Sequence, residues 1–343
     1  MTLQEQLQYK IDNKTKPTGS LGRLEELAIK IGVIQNTLEP KISKPTILVF
    51  AADHGLTDEG ISPYPKSVTY QMAMNHVAGG AAISVFSRNN GIVLKVIDAG
   101  VDHDFPKECG IIDRKIARGT KNMLHHPAMT IEECRLAMKG GSEQVIFEYK
   151  SGCNTIGFGE KGIGNTSASS LLMHTFTGMP IEECTGSGAG MLGDALIHKT
   201  RILKEVSIKH NPQTTMEKLA TFGGLEIAMM VGAMLEAFNL EMVILIDGFI
   251  ATAAILVAQQ FIPEITNNCI FCHTSEERGH KELLKHLKAD PILNLGMRLG
   301  EGSGVAVALP IIKSAVDFLT QMASFEEAGV DNKVEIKEKV LIG

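Results

Sequence analysis

The sequence predicts an α/β fold in which helices cover both faces of a parallel sheet. Two observations support this class. Five short apolar runs alternate with segments of helical periodicity, as expected for strands that are buried on both faces. Each run also ends in glycine, acidic, histidine or serine residues. In such Rossmann-like sheets ligands bind beyond the carboxyl ends of the strands, so these polar clusters should line one cleft.

The predicted elements follow one another along the chain. The strands are residues 45–52, 92–97, 154–158, 242–246 and 269–272, and helices are predicted over 66–76, 80–88 and 131–149. The longest apolar stretch, 242–259, contains Asp247 near its middle. A membrane span needs about 20 apolar residues and disfavours a central aspartate. We therefore expect a buried strand that ends at Asp247, followed by a buried helix, and no membrane span.

The two ends of the chain do not follow the strand–helix alternation. Residues 1–35 carry apolar side chains at helical spacing, and Ser20 is a candidate N-cap for the helix after it. Residues 305–322 form a second apolar segment of helical length. We therefore expect a large α/β domain over residues 40–300 and a small helical subdomain made of residues 1–39 with 301–343.

The composition excludes some classes of function. The formal net charge is −6, aromatic residues make up 5% and Trp is absent, which argues against a nucleic-acid partner. The N-terminal residues are polar and lack the apolar core of a signal peptide. The six cysteines are scattered, as reduced core thiols are. We expect a cytoplasmic enzyme that acts on small molecules.

One carboxylate, Glu301, lies in a glycine-rich segment over residues 296–304. Glycine lets backbone approach a ligand closely and adopts positive φ without strain. Glu301 is therefore a candidate group for presentation to a substrate. Alternatively, it only complements the dipole of the helix that follows.

A second glycine-rich segment, residues 157–167, carries Glu160. Asn165 is a candidate N-cap for a helix through residue 172, which would leave backbone amides directed at the cleft. Two acids in different environments can divide acid and base roles between them. The alternative is a glycine turn with an exposed Glu160.

A third segment suits a phosphate. Gly186, Ser187 and Gly188 offer free backbone N–H groups before a helix that contains Lys199. Residues 188–193 also match the G-x-G-x-x-G dinucleotide pattern, but the preceding residues are too polar for the strand that this motif requires. A single phosphate is the better prediction.

Metal sites are not favoured. Residues 269–273 match the haem-attachment pattern, but buried thiols on a strand are common core residues. Asp53, His54 and Asp98, with Asp102, His103 and Asp104, lack the helical ligand spacing that would favour a metal. A metal-dependent hydrolase remains an alternative.

Taken together, the motifs closely resemble those of the nicotinate-nucleotide–dimethylbenzimidazole phosphoribosyltransferase family. The matching segments are KPTGSLGRLEELA (16–28), ADHGLTDEGISPYPKSVT (52–69), AGGAAISVF (78–86), VIDAGV (96–101), GFGEKGIGNTSAS (157–169), TGSGAG (185–190), ILIDGFIATAA (244–254) and MRLGEGSGVA (297–306). The resemblance implies transfer of a phosphoribosyl group from nicotinate mononucleotide to an aromatic base, for the lower ligand of cobamides. It also implies a homodimer, with no metal and no cofactor.

The resemblance assigns roles to individual residues. Glu301 matches the general base, and Glu160 matches a second acid near the ribose. The residues expected at the phosphate or nucleotide are Gly162, Gly188, Lys199 and Ser275, to which we add Gly186, Ser187 and Arg298; those expected at the base are Tyr64, Met72 and Leu299. Beside an apolar base pocket, burial should raise the pKa of Glu301. The pocket positions vary within the family, so the native base stays open, and a non-catalytic nucleotide-binding protein remains an alternative.

Overall fold

A computed structural model describes residues 1–332 of the 343-residue chain. These residues divide into two compact units. The larger unit spans Ile42–Pro310, and the smaller combines Met1–Lys41 with the described residues from Ile311 onward. Residues 333–343, which we assigned to the small helical subdomain, lie outside the described residues.

The larger unit contains a parallel sheet with, among the described residues, six strands. They are β1 (Thr46–Ala52), β2 (Val93–Gly100), β3 (Ile111–Asp113), β4 (Thr155–Lys161), β5 (Val243–Ile246) and β6 (Cys269–Phe271). Their order is β3-β2-β1-β4-β5-β6, and every neighbouring pair is parallel. This is the strand order of the Rossmann fold, whose ligand crevice opens where the order reverses, here between β1 and β4. The predicted α/β class is confirmed.

The strands differ from the prediction in three main respects, the first being that β2 continues to Gly100, three residues beyond its predicted end. The edge strand β3 was not predicted, because it is only three residues long and is partly exposed, so it lacks a continuous apolar run. The strand β4 continues to Lys161, three residues beyond the predicted end. Glu160 therefore lies within a strand, in register with Phe50 of β1, and not in a turn after it.

The helices complete the fold. They are α1 (Leu3–Asp12), α2 (Arg23–Ile34), α3 (Ser67–Ala78), α4 (Ala82–Asn90), α5 (Ile131–Lys150), α6 (Asn165–Thr177), α7 (Ile181–Cys184), α8 (Asp194–Lys209), α9 (Thr215–Phe222), α10 (Leu225–Asn239), α11 (Phe249–Phe261), α12 (His280–His286), α13 (Ser303–Gln321) and α14 (Phe325–Ala328), with short 3₁₀ helices at Gly55–Glu59 and Ile265–Asn268. The apolar stretch at 242–259 forms β5 and the buried helix α11, as predicted.

Two helices of the larger unit approach each other closely. A Cβ atom on Gly141 of α5 would lie 1.9 Å from the carbonyl oxygen of Met229, and one on Gly232 of α10 would lie 2.0 Å from that of Met138. Only glycine fits at such contacts. The contact holds α10, most of which is buried, against α5.

The smaller unit has its own core, in which Leu7, Ile11 and Ala28 pack with Leu319. The predicted N-cap at Ser20 is wrong, since α2 begins at Arg23 after Gly22 and has no side-chain cap. Instead, the carboxylate of Glu25 accepts the backbone N–H of Leu21 at 3.0 Å and pairs with Lys16 at 2.8 Å. The carboxylate of Glu25 thus holds the turn that precedes the helix.

One helix within the described residues, α13, is long and apolar enough to cross a membrane by length and composition alone. Of its most apolar window, 56% is buried inside the structure. A core helix passes the same test, so this feature is weak support for a membrane span.

Candidate active site

A cleft opens at the carboxyl ends of β4, β5 and β6, and we call it the active-site cleft. Nine of the predicted site residues line it: Glu160, Gly162, Ser187, Gly188, Lys199, Ser275, Arg298, Leu299 and Glu301. Asp247, Gly248 and Glu277 line it as well. The remaining predicted residues, Gly186, Tyr64 and Met72, are not part of this lining.

The backbone at Glu301 is held from two sides. The carboxylate of Asp247, which follows β5, accepts the backbone N–H groups of Gly302 at 3.0 Å and Gly304 at 2.7 Å. On the other side, a Cβ atom on Gly159 of β4 would come within 2.4 Å of the carbonyl carbon of Glu301. Glu301 itself has φ 65°, which is costly for a non-glycine residue and persists only where the surroundings impose it. Asp247, and not Glu301, thus satisfies the amides at the start of α13.

The side chain of Glu301 is buried between two nitrogen atoms. Nζ of Lys161 donates to Oε1 at 3.0 Å, and Nε2 of His76 lies 3.0 Å from Oε2. Burial raises the pKa of Glu301, but the contacts with His76 and Lys161 outweigh it, so the pKa lies below its ordinary value. The expected upward shift is wrong, because the sequence does not show that these two groups converge on the acid. Glu301 is therefore ionised at neutral pH.

Glu160 is also buried, but its pKa is shifted upward, so it favours the protonated form. Burial raises its pKa to about 8, and repulsion from Asp247 and Glu301 adds to the effect against the attraction of Lys161. Oε1 of Glu160 accepts the backbone N–H of Glu301 at 3.4 Å. At neutral pH Glu160 is thus protonated and Glu301 ionised, the division of states that acid and base roles require.

Asn165 does not cap α6 as predicted. The helix begins at Asn165 itself, after Gly164 with φ 97° as the cap residue, and the side-chain amide of Asn165 donates to Oε2 of Glu160. Gly162 lies against β1, where a Cβ atom would meet the carbonyl oxygen of Ala52 at 2.4 Å. The loop after β4 therefore fixes Glu160 and leaves no room for a side chain at Gly162.

Lys199 also lines the cleft, although its side chain is buried and the residue is only 1% exposed. Its Nζ donates to the carbonyl oxygen of Gly186 at 3.0 Å and to Oγ1 of Thr166 at 3.2 Å. Burial lowers the pKa of Lys199 to about 8, and the carboxylate of Glu277 opposes this shift. An ammonium group has three donors, so a third N–H is left for a ligand in the cleft.

The amide of Gly188 is not free, contrary to the prediction. It donates to Oε1 of Glu277 at 3.0 Å. Glu277 follows β6, far along the chain, and no local pattern links it to Gly188. The segment 188–193 is preceded by α7 and not by a strand, so it lacks the context of a dinucleotide-binding motif.

The predicted base-pocket residues are spread out. Leu299 lines the cleft and is half exposed. Tyr64 is 50% exposed, so it is not a core residue. Met72 is on α3, one helical turn before His76, and these two residues share a helix face. That His76 lies beside Glu301 supports Met72 near the reacting groups, but its contact with a base stays a prediction.

Sequence reasoning missed several contributors to the site. Lys161 and Asp247 lay in segments already recognised, directly after Glu160 and at the end of β5. His76 and Glu277 gave no signal, since each is a single polar residue whose partner is remote in sequence. Their contacts become visible only when the sheet brings the loops together.

Three further residues at the strand ends, His54, Asp53 and Asp98, each contact another protein group. Nε2 of His54 lies 2.6 Å from Oε1 of Glu226, and both side chains are buried. Asp53 accepts the backbone N–H of Asp102 at 2.8 Å, and Asp98 accepts that of Val101 at 2.9 Å. Within residues 1–332, no group of three or more His, Cys, Asp or Glu side chains is arranged to hold a metal ion. All six cysteines lie in that range and are free thiols.

Known proteins are similar to this chain over nearly its whole length. A family model described as a phosphoribosyltransferase matches residues 1–330. The chain is 51% identical over 325 residues to the nicotinate-nucleotide–dimethylbenzimidazole phosphoribosyltransferase of Cupriavidus taiwanensis, covering 94% of each chain. It is 50% identical over 335 residues to the enzyme of the same name from Dechloromonas aromatica, covering 96% of each.

A solved structure is similar over the same extent. The crystal structure of CobT from Thermus thermophilus matches with a TM-score of 0.93 and 34% identity, covering 97% of this chain and 100% of that chain. A second structure from that organism, of its nicotinate-nucleotide–dimethylbenzimidazole phosphoribosyltransferase, matches with a TM-score of 0.91. With a family model over nearly the whole chain and relatives that share half of their residues with it, the chain belongs to the nicotinate-nucleotide–dimethylbenzimidazole phosphoribosyltransferase family.

Proposed function

We propose that this enzyme moves the phosphoribosyl group of nicotinate mononucleotide to 5,6-dimethylbenzimidazole or a related aromatic base. The products are α-ribazole 5′-phosphate and nicotinate, and the nucleotide supplies the lower ligand of a cobamide. Family membership supports the reaction class. The observation that carries the proposal is the ionised carboxylate of Glu301, held by Lys161 and His76 in the lining of a cleft that also contains Lys199.

The proposed reaction is a single displacement at C1′ of the ribose. A nitrogen of the azole forms a bond to C1′ while the bond to the pyridinium nitrogen of nicotinate breaks. The electron pair of the broken bond stays on that nitrogen and neutralises its positive charge. The azole then carries the positive charge, and its remaining N–H proton passes to a base. Attack opposite the β-linked nicotinate gives the α-linked product.

Glu301 suits the proton-accepting step. Its pKa is lowered, which makes it a weak base, but the N–H of a positively charged azole is far more acidic than that of the free azole. A carboxylate that is ionised throughout the neutral range therefore suffices. The negative charge of Glu301 would also stabilise the positive charge that develops on the ribose and the azole. General-base catalysis contributes typically about 10²–10⁴-fold.

Protonated Glu160 has a different role in this proposal. With its pKa at about 8, it carries a proton at neutral pH and adds no second negative charge beside Glu301. Its hydroxyl would donate a hydrogen bond to a ribose hydroxyl. It thereby orients C1′ for attack, and such positioning can lower a barrier by about 7–11 kcal/mol in favourable cases.

The phosphate and the base would occupy different parts of the cleft. Lys199 and the amides near Gly186 and Ser187 would hold the 5′-phosphate, together with Ser275 and Gly162. The amide of Gly188 would join them only if the phosphate displaced Glu277. Arg298, exposed on the loop before Glu301, would contact the nucleotide from the cleft mouth. Tyr64, Met72 and Leu299 would contact the aromatic base.

We also propose that the enzyme works in the cytoplasm as a homodimer. On α8, Ile197 and Ile208 are largely exposed, and their spacing places them on one helix face; Leu192, two residues before the helix, is exposed as well. If these side chains form one contiguous apolar patch, it would suit an interface with a second copy of the chain. Light scattering after size-exclusion chromatography tests the stoichiometry, and a monomer at micromolar concentration would contradict it.

Incubation with nicotinate mononucleotide and a panel of benzimidazoles, purines and phenols tests the function. We expect nicotinate release only when an accepted base is present, and an α-linked nucleotide identified by mass spectrometry and NMR. A parallel reaction with a chelator distinguishes a metal-dependent hydrolase, which would lose activity. Nucleotide binding without any nicotinate release would instead indicate a non-catalytic nucleotide-binding protein.

A further inference from the structure

We propose that His280, a residue outside the cleft lining, positions Ser275 so that its hydroxyl faces the phosphate of the bound nucleotide. The inference deepens the proposed function and rests on it, because it concerns the phosphate part of the same cleft. His280 is a positioning residue in this proposal, since it acts through Ser275 and touches no substrate.

The ring of His280 connects two loops that line the cleft. Its Nδ1 accepts the backbone N–H of Ser275 at 2.8 Å, and its Nε2 lies 2.9 Å from Oγ1 of Thr252. The hydroxyl of Thr252 donates to the carbonyl oxygen of Gly248 at 2.8 Å. Ser275 follows β6 and Gly248 follows β5, and both line the cleft. One buried ring thus joins the loops after two neighbouring strands.

The hydrogen-bond directions leave one consistent protonation state. The N–H of Ser275 is a donor, so Nδ1 of His280 must be unprotonated. The proton of Thr252 is used toward Gly248, so Nε2 of His280 must carry the hydrogen and donate it. The ring is therefore the neutral tautomer with its proton on Nε2. Burial, with His273 nearby, lowers the pKa of His280 to about 3, in agreement with this state.

The hydroxyl of Ser275 is left to donate toward the cleft. Its oxygen accepts the backbone N–H of Glu277 at 3.2 Å, which uses one lone pair and not the hydrogen. The backbone bond to His280 and this second bond together fix the direction of the side chain. A hydroxyl whose hydrogen is free suits an anionic acceptor such as phosphate.

The variants His280→Ala, Ser275→Ala and their combination test the inference. Each is titrated with nicotinate mononucleotide and with its riboside, which lacks the phosphate, and with inorganic phosphate by calorimetry. We expect His280→Ala to weaken binding of the mononucleotide and of phosphate by about tenfold and to leave the riboside nearly unchanged. Added to Ser275→Ala, it should have little further effect, because both changes remove the same contact.

Three variants complete the design. His280→Asn places an amide oxygen where Nδ1 was, so we expect it to restore most of the phosphate preference. Thr252→Val keeps the ring of His280 but removes the partner of Nε2, together with the bond to the carbonyl of Gly248. It should lower phosphate affinity selectively, and it tests the inference if His280→Ala does not fold. His174→Ala is the matched control, because His174 bonds the carbonyl of Met179 outside the cleft lining, and it should leave the preference unchanged.

Equal weakening of mononucleotide and riboside by the His280 or Thr252 variants would overturn the inference, as would additive effects of His280→Ala and Ser275→Ala. A wild-type protein that binds phosphate with the expected variant pattern but releases no nicotinate would refute the proposed function alone. A wild type with no preference for the phosphorylated ligand would refute the inference.

Discussion

The backbone N–H of Glu301 donates to the side chain of Glu160 at 3.4 Å, so the two acids of the cleft are joined through one hydrogen bond. The same contact places their side chains in different surroundings. Glu301 has Lys161 and His76 beside it, whereas Glu160 meets the amide of Asn165 and the repulsion of Asp247. This difference, and not the residue type, decides which acid is ionised at neutral pH.

The variant Glu301→Gln keeps the shape of the side chain and removes its basicity. We expect turnover to fall by about 10²-fold or more, with the affinity for nicotinate mononucleotide largely retained. Single-turnover rates and calorimetric binding constants measure the two effects separately. Glu205→Gln, an exposed change on α8, is the control and should behave like the wild type. If Glu301→Gln retained near-normal turnover, another group would have to be the base.

The plot of kcat/KM against pH should fall at both its acidic and its alkaline end, because residues of the cleft titrate there. Glu301 acts when ionised, so activity falls only below its pKa, which lies under the ordinary value of 4.5. Glu160 loses its proton and Lys199 loses its charge near pH 8, so activity should fall above that pH. Glu160→Gln removes one of these titrations, and Lys199→Arg keeps the positive charge to higher pH. An alkaline limb that is unmoved in both variants would contradict this assignment.

Glu160 should also make the stability depend on pH. Its pKa rises from 4.5 to about 8 on folding, so the protonated form is favoured in the folded state. The stabilisation is fully present below pH 4.5 and is lost as pH rises toward 8. Wild type and Glu160→Gln should therefore have similar stability near pH 4.5. By pH 8 the variant should be more stable by on the order of a few kcal/mol.

Denaturant unfolding of both proteins at a series of pH values measures this difference. Other groups that titrate in the range, such as His54, are common to the two proteins and cancel in the comparison. Parallel stability curves from pH 4.5 to 8 would show that Glu160 is ionised in the folded protein throughout that range.

Lys199→Ala should weaken the contacts with the phosphate and leave those with the rest of the nucleotide nearly unchanged. We expect binding of nicotinate mononucleotide to weaken by on the order of 10- to 100-fold at pH 7, and binding of the riboside to change little, because only the former carries the phosphate charge. Lys139→Ala, exposed on α5 and paired with Glu143, is the matched control. Equal losses for both ligands would place Lys199 away from the phosphate.

The double variant Tyr64→Ser with Met72→Gln tests the base pocket. Tyr64 is half exposed, so its loss should change thermal stability little. Met conforms to flat rings of different outline and Tyr offers a ring for stacking, so relative kcat/KM values among bases should change. Changes in pocket contacts discriminate by only about 1–3 kcal/mol, so we expect a new ranking of bases and not an absolute switch. An unchanged ranking with a lower melting temperature would make these residues part of the scaffold.

The sheet was predictable because its signal is local. Strands buried on both faces are continuous apolar runs, and the polar residues after them mark the cleft edge. The strand β3 was missed because three partly exposed residues at an edge give no such run. The N-caps at Ser20 and Asn165 were wrong because α2 begins at Arg23 and α6 at Asn165, each after a glycine with positive φ.

The chemistry of the site was less predictable than its location. The glycine-rich segments identified Glu301 and Glu160, but the direction of the pKa shift of Glu301 depends on His76 and Lys161, which arrive from different elements. Similarly, the amide of Gly188 was taken to be free because its partner, Glu277, is remote in sequence. Periodicity and local motifs carry no information on which distant side chains converge.

The close approach of Gly159 to the backbone of Glu301 bears on how such an enzyme can diversify. A side chain on Gly159 would clash with the carbonyl carbon of Glu301. Substitution of Gly159 would therefore displace the catalytic carboxylate before it changed any contact with a substrate. Substitutions on this side of the cleft, at Gly159 of β4, would therefore disturb Glu301 before they could adapt the pocket to a new substrate. New aromatic acceptors have to be gained through the more exposed positions, Tyr64 and Leu299 among them, and a library for directed evolution should vary those while keeping Gly159 fixed.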